Sequence, residues 1–127
     1  MSHQAQSSRI GRLGELLTMY HLERHGIDCV LVDREYADIW IRLLDGSIRS
    51  VQVKTTRRPP DEGDKHGPRY RFRIEDRANV DLFSLVALDV GVVLLFPALF
   101  VPSNVSIRKF TAATMDENIK KYVLEAT

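Results

Sequence analysis

Cysteine is almost absent from this sequence: Cys29 is the single one in 127 residues. One thiol cannot form an internal disulfide, and it excludes a zinc centre built from four cysteines. The expected setting is reducing and cytoplasmic. Long apolar runs are missing as well. The longest, at residues 90–96, is far shorter than the roughly 18–20 residues of a membrane-spanning helix. Residues 1–8 are polar and hold no hydrophobic segment of the kind that marks a secretory leader. Neither a glycine-rich nucleotide loop nor a Ser-His-Asp or cysteine-based catalytic motif is found. Charge of one sign is also lacking. Eighteen basic residues against seventeen acidic ones give a net of +1, so no global field draws the chain to nucleic acid.

What is there reads as one soluble globular domain spanning residues 1–127. Apolar residues make up 44% and charged residues 28%, enough for a core and too apolar for disorder. Charge is uneven along the chain. Residues 26–53 carry five acids and three bases, whereas residues 54–77 carry eight bases and five acids. An acidic stretch followed by a basic one fits a metal site beside a phosphate-binding strip, and fits chance equally well.

Ile10, Leu13, Leu17 and Tyr20 recur at helical spacing behind Ser7 and Ser8 as cap oxygens, with Gly26 as the stop, which predicts a helix over 9–25. Gly11 and Gly14, costly in a helix interior, point to close approach of another backbone or a ligand, or to a poor helix start. Extended segments follow at 27–32, 37–44 and 48–55, the last two joined by a two-residue turn at Asp45-Gly46. Residues 57–68, with three prolines and two glycines, read as a mobile loop. Residues 69–74 alternate, Tyr70, Phe72 and Ile74 on one face and Arg69, Arg71 and Arg73 on the other. The continuous apolar runs 82–88 and 92–96 read as inner strands covered on both faces, a buried helix being the alternative for the first. Thr114 and Glu117 form a capping box for a last helix over 115–126 on the domain surface. The order predicts an α/β sandwich, one mixed sheet flanked by helices.

Gln52 and Lys54 fall on one face of the 48–55 strand, and Asp38 and Trp40 on one face of the strand before it. Hairpin pairing of these strands brings a carboxylate, an amide oxygen and an ammonium toward one end of the sheet. The alternative is a Lys54 at a solvated strand end, paired with Asp38. These residues, with Gly14-Glu15 on the first helix, then Ala37-Asp38-Ile39 and Val51-Gln52-Val53-Lys54-Thr55-Thr56, resemble the PD-(D/E)XK nuclease superfamily. Within it they are most similar to the small Q-x-K branch, related to an intron-encoded homing endonuclease and to Holliday junction resolvase-like nucleases. The likeness covers residues 11–56 well and continues more weakly through Val80-Asp81-Leu82-Phe83 and Val101-Pro102.

The resemblance implies an αβββαβ restriction-endonuclease-like core and Mg²⁺- or Mn²⁺-dependent hydrolysis of DNA phosphodiesters. It implies Asp38, Gln52 and Glu15 as metal ligands, and Lys54 as the group that orients or deprotonates the attacking water. Gln52 stands where most members carry Asp or Glu, so its amide oxygen ligates without adding charge. Weak metal affinity and one ion rather than two are expected. On a helical projection Glu15 lies opposite the Ile10–Leu13–Leu17 stripe; a surface glutamate is the other reading, with Glu35 or Asp33 able to serve instead.

Arg69, Arg71 and Arg73 form a ridge able to touch successive phosphates, with Arg57, Arg58 and Lys65 on the flanking loop. A solvated strand face that discourages edge-to-edge aggregation is the alternative. His21 and His25 have the i, i+4 spacing of zinc ligands but no third partner, and read as surface histidines near a helix C-terminus. Thr55 and Thr56 could bond a phosphate or end a strand, and Trp40 could stack on a base or pack. Cutting both strands of a duplex would suggest a homodimer. A catalytically inactive DNA-binding relative and an assembly protein on the same scaffold are the alternative functions.

Overall fold

The computed structural model describes residues 3–32, 34–57, 69–75, 79–108 and 110–124, with only the backbone for 3–7. Helix α1 (His3–Arg24) is followed by strands β1 (Asp28–Leu31), β2 (Ile39–Arg42) and β3 (Ile48–Thr56). Then come β4 (Tyr70–Arg73), β5 (Leu82–Ala87), β6 (Val92–Pro97), β7 (Asn104–Ile107) and helix α2 (Ala112–Ile119). A π-helical turn, Lys120–Leu124, continues α2. Five strands form one mixed sheet in the order β1-β2-β3-β5-β6, and β4 pairs with β7 in a separate ribbon. Among the described residues only β3 and β5 are parallel, with Val51 opposite Leu82 and Thr55 opposite Val86. The chain between them holds β4 and, at 58–68, most of the expected loop, which lies outside the described residues. Among the described residues no helix is long and apolar enough to cross a membrane.

The first continuous apolar run, β5, is an inner strand, as its pattern requires; the second, β6, is buried over its first four residues but stands at the end of the sheet, not inside it. Every residue of β5 is buried, and Phe83, Leu85, Val93 and Leu95 are wholly inaccessible. β6 is an edge, and α2 closes it. The Asn118 amide donates to the Leu95 carbonyl at 2.8 Å and accepts from the Leu95 N–H at 2.6 Å, which occupies the row that another strand would otherwise pair with. Asp81 ties the start of β5 to β3, since its carboxylate accepts from the Ser50 N–H at 2.8 Å.

Several expectations require correction. The Asp45-Gly46 turn is a three-residue loop: Leu43 N–H bonds the Ser47 carbonyl, Gly46 N–H bonds the Leu43 carbonyl, and Gly46 takes φ +90. Asp45 accepts from both the amide and the hydroxyl of Ser47, which fixes the extra residue. The last helix begins three residues earlier than expected. Thr111 is its N-cap, reciprocally bonded with Thr114, because a threonine at the third position can supply the second half of the box. Residues 125–126 of the expected span lie outside the described residues.

The larger correction concerns α1. Its buried face is Gly14, Thr18, His21 and Leu22, while Leu13 and Tyr20 of the apolar stripe, and Leu16 beside it, are 46%, 58% and 42% exposed. Close approach, not hydrophobicity, selects the buried face. The Thr18 hydroxyl donates to the Gly14 carbonyl at 2.9 Å and lies 2.8 Å from the Ser84 hydroxyl on β5. With its proton committed to Gly14, Thr18 receives that of Ser84. A Cβ on Gly14 would sit 1.8 Å from Thr55 Oγ1 and 2.9 Å from Thr55 Cβ, so no rotamer of Thr55 relieves it. Gly14→Ala gains about 1 kcal/mol of helix propensity, but overpacking of this kind costs typically 1–3 kcal/mol. The expected result is a net loss of stability, read as a lower midpoint in urea unfolding; an unchanged or raised midpoint contradicts the contact.

His21 is buried, not a surface histidine. Its Nε2 donates to the Gly91 carbonyl at 2.9 Å, and Nδ1 is buried without a partner among the described residues. Burial lowers its pKa below 6.5, with nearby Arg24 and His25 acting in the same direction and Asp116 and the Gly91 bond opposing. The unfolded chain therefore takes up a proton below about pH 6.5 that the folded protein resists. Stability is expected to be full above that pH and to fall as pH drops toward the lowered folded value. Urea titrations from pH 7.5 to 5 check this, and His21→Gln, which keeps a donor for Gly91 but cannot titrate, should flatten the dependence.

Candidate metal and phosphodiester site

The ladder between β2 and β3 ends at the pair Ile39–Val51, yet β3 runs on to Thr56. Its N–H and C=O groups beyond that pair need partners. Asp38, one residue before β2 rather than within it, supplies them. Its N–H donates to the Val51 carbonyl at 2.9 Å, and its Oδ2 accepts from the Val53 N–H at 2.8 Å. A carboxylate oxygen thus stands where a strand carbonyl would be, beside the residue that separates Gln52 from Lys54. No further bond engages the other oxygen of Asp38 among the described residues.

Gln52 and Lys54 are both half-buried. The Gln52 Oε1 is buried and has no hydrogen-bond partner among the described residues, an arrangement that costs free energy unless something else satisfies the oxygen. Lys54 forms no salt bridge among the described residues, so the closed Asp38–Lys54 pair allowed by the sequence is not made. Asp38, Gln52 and Lys54 are brought to one short stretch of neighbouring chain.

Glu15 enters from a different direction. Helix α1 packs on the sheet face that carries Thr55 and Ser84, and strand alternation turns Gln52 and Lys54 to the opposite face. Glu15 is half-buried on the flank of the buried helix face, next to Gly14, and engaged in an interaction of its own. Its position opposite the Ile10–Leu13–Leu17 stripe does not make it a surface residue, because that stripe lies to one side of the packed face and only Leu17 of the three reaches the core. Glu35 is exposed, and Asp33 lies outside the described residues. Among the described residues there is no group of three or more His, Cys, Asp or Glu side chains suited to a metal. His25 turns to the His21 carbonyl and lies 3.6 Å from Asp116 instead.

Of the basic residues, Arg57 is exposed at the end of β3, whereas Arg58 and Lys65 lie outside the described residues. Arg71 and Arg73 are exposed and Arg69 half-buried, and Arg73 Nε is 3.3 Å from Glu75. Thr55 ends up against Gly14 with its hydroxyl buried and unbonded among the described residues, and Thr56 is half-buried. Trp40 is 40% exposed beside Val30 and Ile48 over a cavity of about 300 Å³ on the open face of the hairpin. Burial pushes the Cys29 thiol up to about 12, so it stays protonated and is a poor nucleophile.

Strand β7 escaped the sequence reading. Its alternation, Asn104, Ser106 and Arg108 against Val105 and Ile107, was a usable signal. It pairs antiparallel with β4, Arg71 opposite Ser106 and Arg73 opposite Asn104.

No protein-family model matches this sequence, and no curated protein matches it. Among solved structures, a bacterial homing endonuclease, I-Ssp6803I, superposes with a TM-score of 0.62, covering 89% of this chain and 94% of that one at 13% identity. The two share a fold: a mixed α/β core in which a five-stranded mixed sheet is packed by helices.

Proposed function

We propose that this protein is a divalent-metal-dependent endonuclease that hydrolyses DNA phosphodiester bonds at Asp38, Gln52 and Lys54. The observation that carries the reading is the buried Oε1 of Gln52, without a hydrogen-bond partner among the described residues, next to a strand bonded by the Asp38 carboxylate and two residues from a lysine that forms no salt bridge among them. An amide oxygen without a donor is a hard-cation ligand in waiting. The fold shared with a bacterial homing endonuclease supplies the class of chemistry.

Asp38 and Gln52 would hold Mg²⁺ or Mn²⁺, while Glu15, on the helix that packs the other sheet face, lies apart from them. One carboxylate and one neutral oxygen suit a hard ion that keeps several waters and takes further oxygens from a phosphate. A bound cation supplies charge neutralisation at the phosphate and a lower pKa for water. Lys54 orients the attacking water and offsets the charge that develops on phosphorus oxygens. Water adds to phosphorus, one P–O ester bond breaks, and the departing oxygen takes up a proton. Arg57, exposed at the end of the same strand, is placed to hold backbone phosphate. A homodimer would present two such sites to the two strands.

Incubation with linear, circular and branched DNA, with Mg²⁺, Mn²⁺ or EDTA, tests the reading. Metal-dependent cleavage is expected. Salt-sensitive binding without cleavage in either metal would instead identify a nucleic-acid-binding protein, and absence of both an assembly scaffold.

A further inference from the structure

The arginine strand is half of a two-stranded ribbon, and that changes what its outer face offers. Register and alternation put Arg71 beside Ser106 and Arg73 beside Asn104 on that face, with Arg69 and Arg108 one pair further along. The inner face is anchored. Tyr70 and Phe72 are 4% and 6% exposed, the Tyr70 ring meets Phe110 edge-on at 4.8 Å, and its hydroxyl donates to Asp89 at 2.8 Å. Burial, helped by the Asp89 bond, raises the Tyr70 hydroxyl to about 12, so that donor persists at any working pH. The ribbon is thus held on the protein body, next to β3.

We infer that the β4–β7 ribbon enters the major groove of duplex DNA and reads base edges, with Arg71, Arg73 and Asn104 setting sequence preference. The inference takes its partner, double-stranded DNA, from the nuclease reading above. A face kept only for solubility needs charge of any kind, and one kept for phosphate contact needs only cations or donors at no particular spacing. This one interleaves arginine with asparagine and serine around a groove of about 470 Å³. Arginine pairs with the O6 and N7 of guanine and asparagine with the N6 and N7 of adenine, each through two hydrogen bonds. Dimensions agree. Paired strands are about 4.8 Å apart, and a two-stranded ribbon fits a groove about 12 Å wide. Residues two apart on a strand are separated by about 6.6–6.8 Å, two base-pair steps of about 3.4 Å. The exposed Arg73–Glu75 contact contributes little and releases readily.

Selection from a pool of randomised duplexes tests this, using full-length protein carrying Lys54→Ala so that the pool is bound but not cut. A preferred sequence should emerge. Adding Asn104→Ala or Arg71→Ala should reduce discrimination at one base pair each by about 5- to 150-fold, leaving the salt dependence of non-specific binding nearly unchanged for Asn104→Ala. Enrichment of no sequence, or a uniform loss of affinity in the variants with the preferred sequence unaltered, overturns the inference and leaves a phosphate ridge. Failure of the nuclease reading is distinct: wild-type protein would cut no duplex in Mg²⁺, yet the selection could still yield a sequence.

Discussion

Lys54→Ala is expected to lower the rate of metal-dependent DNA cleavage by about 10²–10³, the usual effect of removing one donor aimed at transition-state charge. Stability should barely change. Lys54 is half-buried and forms no salt bridge among the described residues, so truncation strands no buried carboxylate. Binding to duplex DNA in EDTA should persist, because Arg57 and the exposed arginines of the β4–β7 ribbon remain. Lys54→Arg is not expected to restore activity, since a planar guanidinium cannot take the position of a compact ammonium. Single-turnover cleavage with thermal unfolding of each variant checks both halves. Cleavage within a few-fold of wild type in Lys54→Ala removes the lysine, and with it the assigned site, from the chemistry.

The second large effect is at Asp38, where one carboxylate has two jobs that substitution can separate. Its Oδ2 satisfies the Val53 N–H at 2.8 Å, and in the proposed site it would be the one formally charged ligand from the strands. Asp38→Ala removes both. Hydrogen bonds to charged groups contribute about 1.5–3 kcal/mol, and the half-exposed position puts the expected loss of stability at the lower end. Asp38→Asn retains an oxygen for Val53 and loses the charge. Its unfolding midpoint should lie close to wild type, while cleavage falls by at least about 10² in both variants. A measurable signature accompanies this: higher Mg²⁺ or Mn²⁺ concentration should be needed for whatever cleavage remains. An Asp38→Asn protein with wild-type activity and wild-type metal requirement would reduce Asp38 to a structural cap for β3.

The strands were legible wherever the chain repeats with period two or runs continuously apolar. Residues 69–74 and 82–96 fold as their patterns require, because a pleated strand has only two faces and each residue must take one. Helix α1 was legible as a helix but not in its orientation. Leu13, Leu16 and Tyr20 look like the packed side, yet the sheet accepts the face that lets the backbone come nearest, with Gly14 at Thr55 and Thr18 at Ser84. The glycine pair carried that information as a close-approach signal without naming the partner. The buried His21 was hidden for a related reason, since its partner is a carbonyl seventy residues away in the β5–β6 turn.

Local spacing by itself determined that Gln52 and Lys54 share a strand face, that Asp38 precedes them across a hairpin, and that arginines alternate with aromatics on another strand. These follow from bond geometry over a few residues. Only the tertiary structure decided that Asp38 ends outside the ladder and bonds Val53, that Gln52 is left with a buried unsatisfied oxygen, and that β7 joins the arginine strand. Such outcomes depend on where a neighbouring strand stops and what lies beyond it, and that is fixed by packing between segments far apart in the chain.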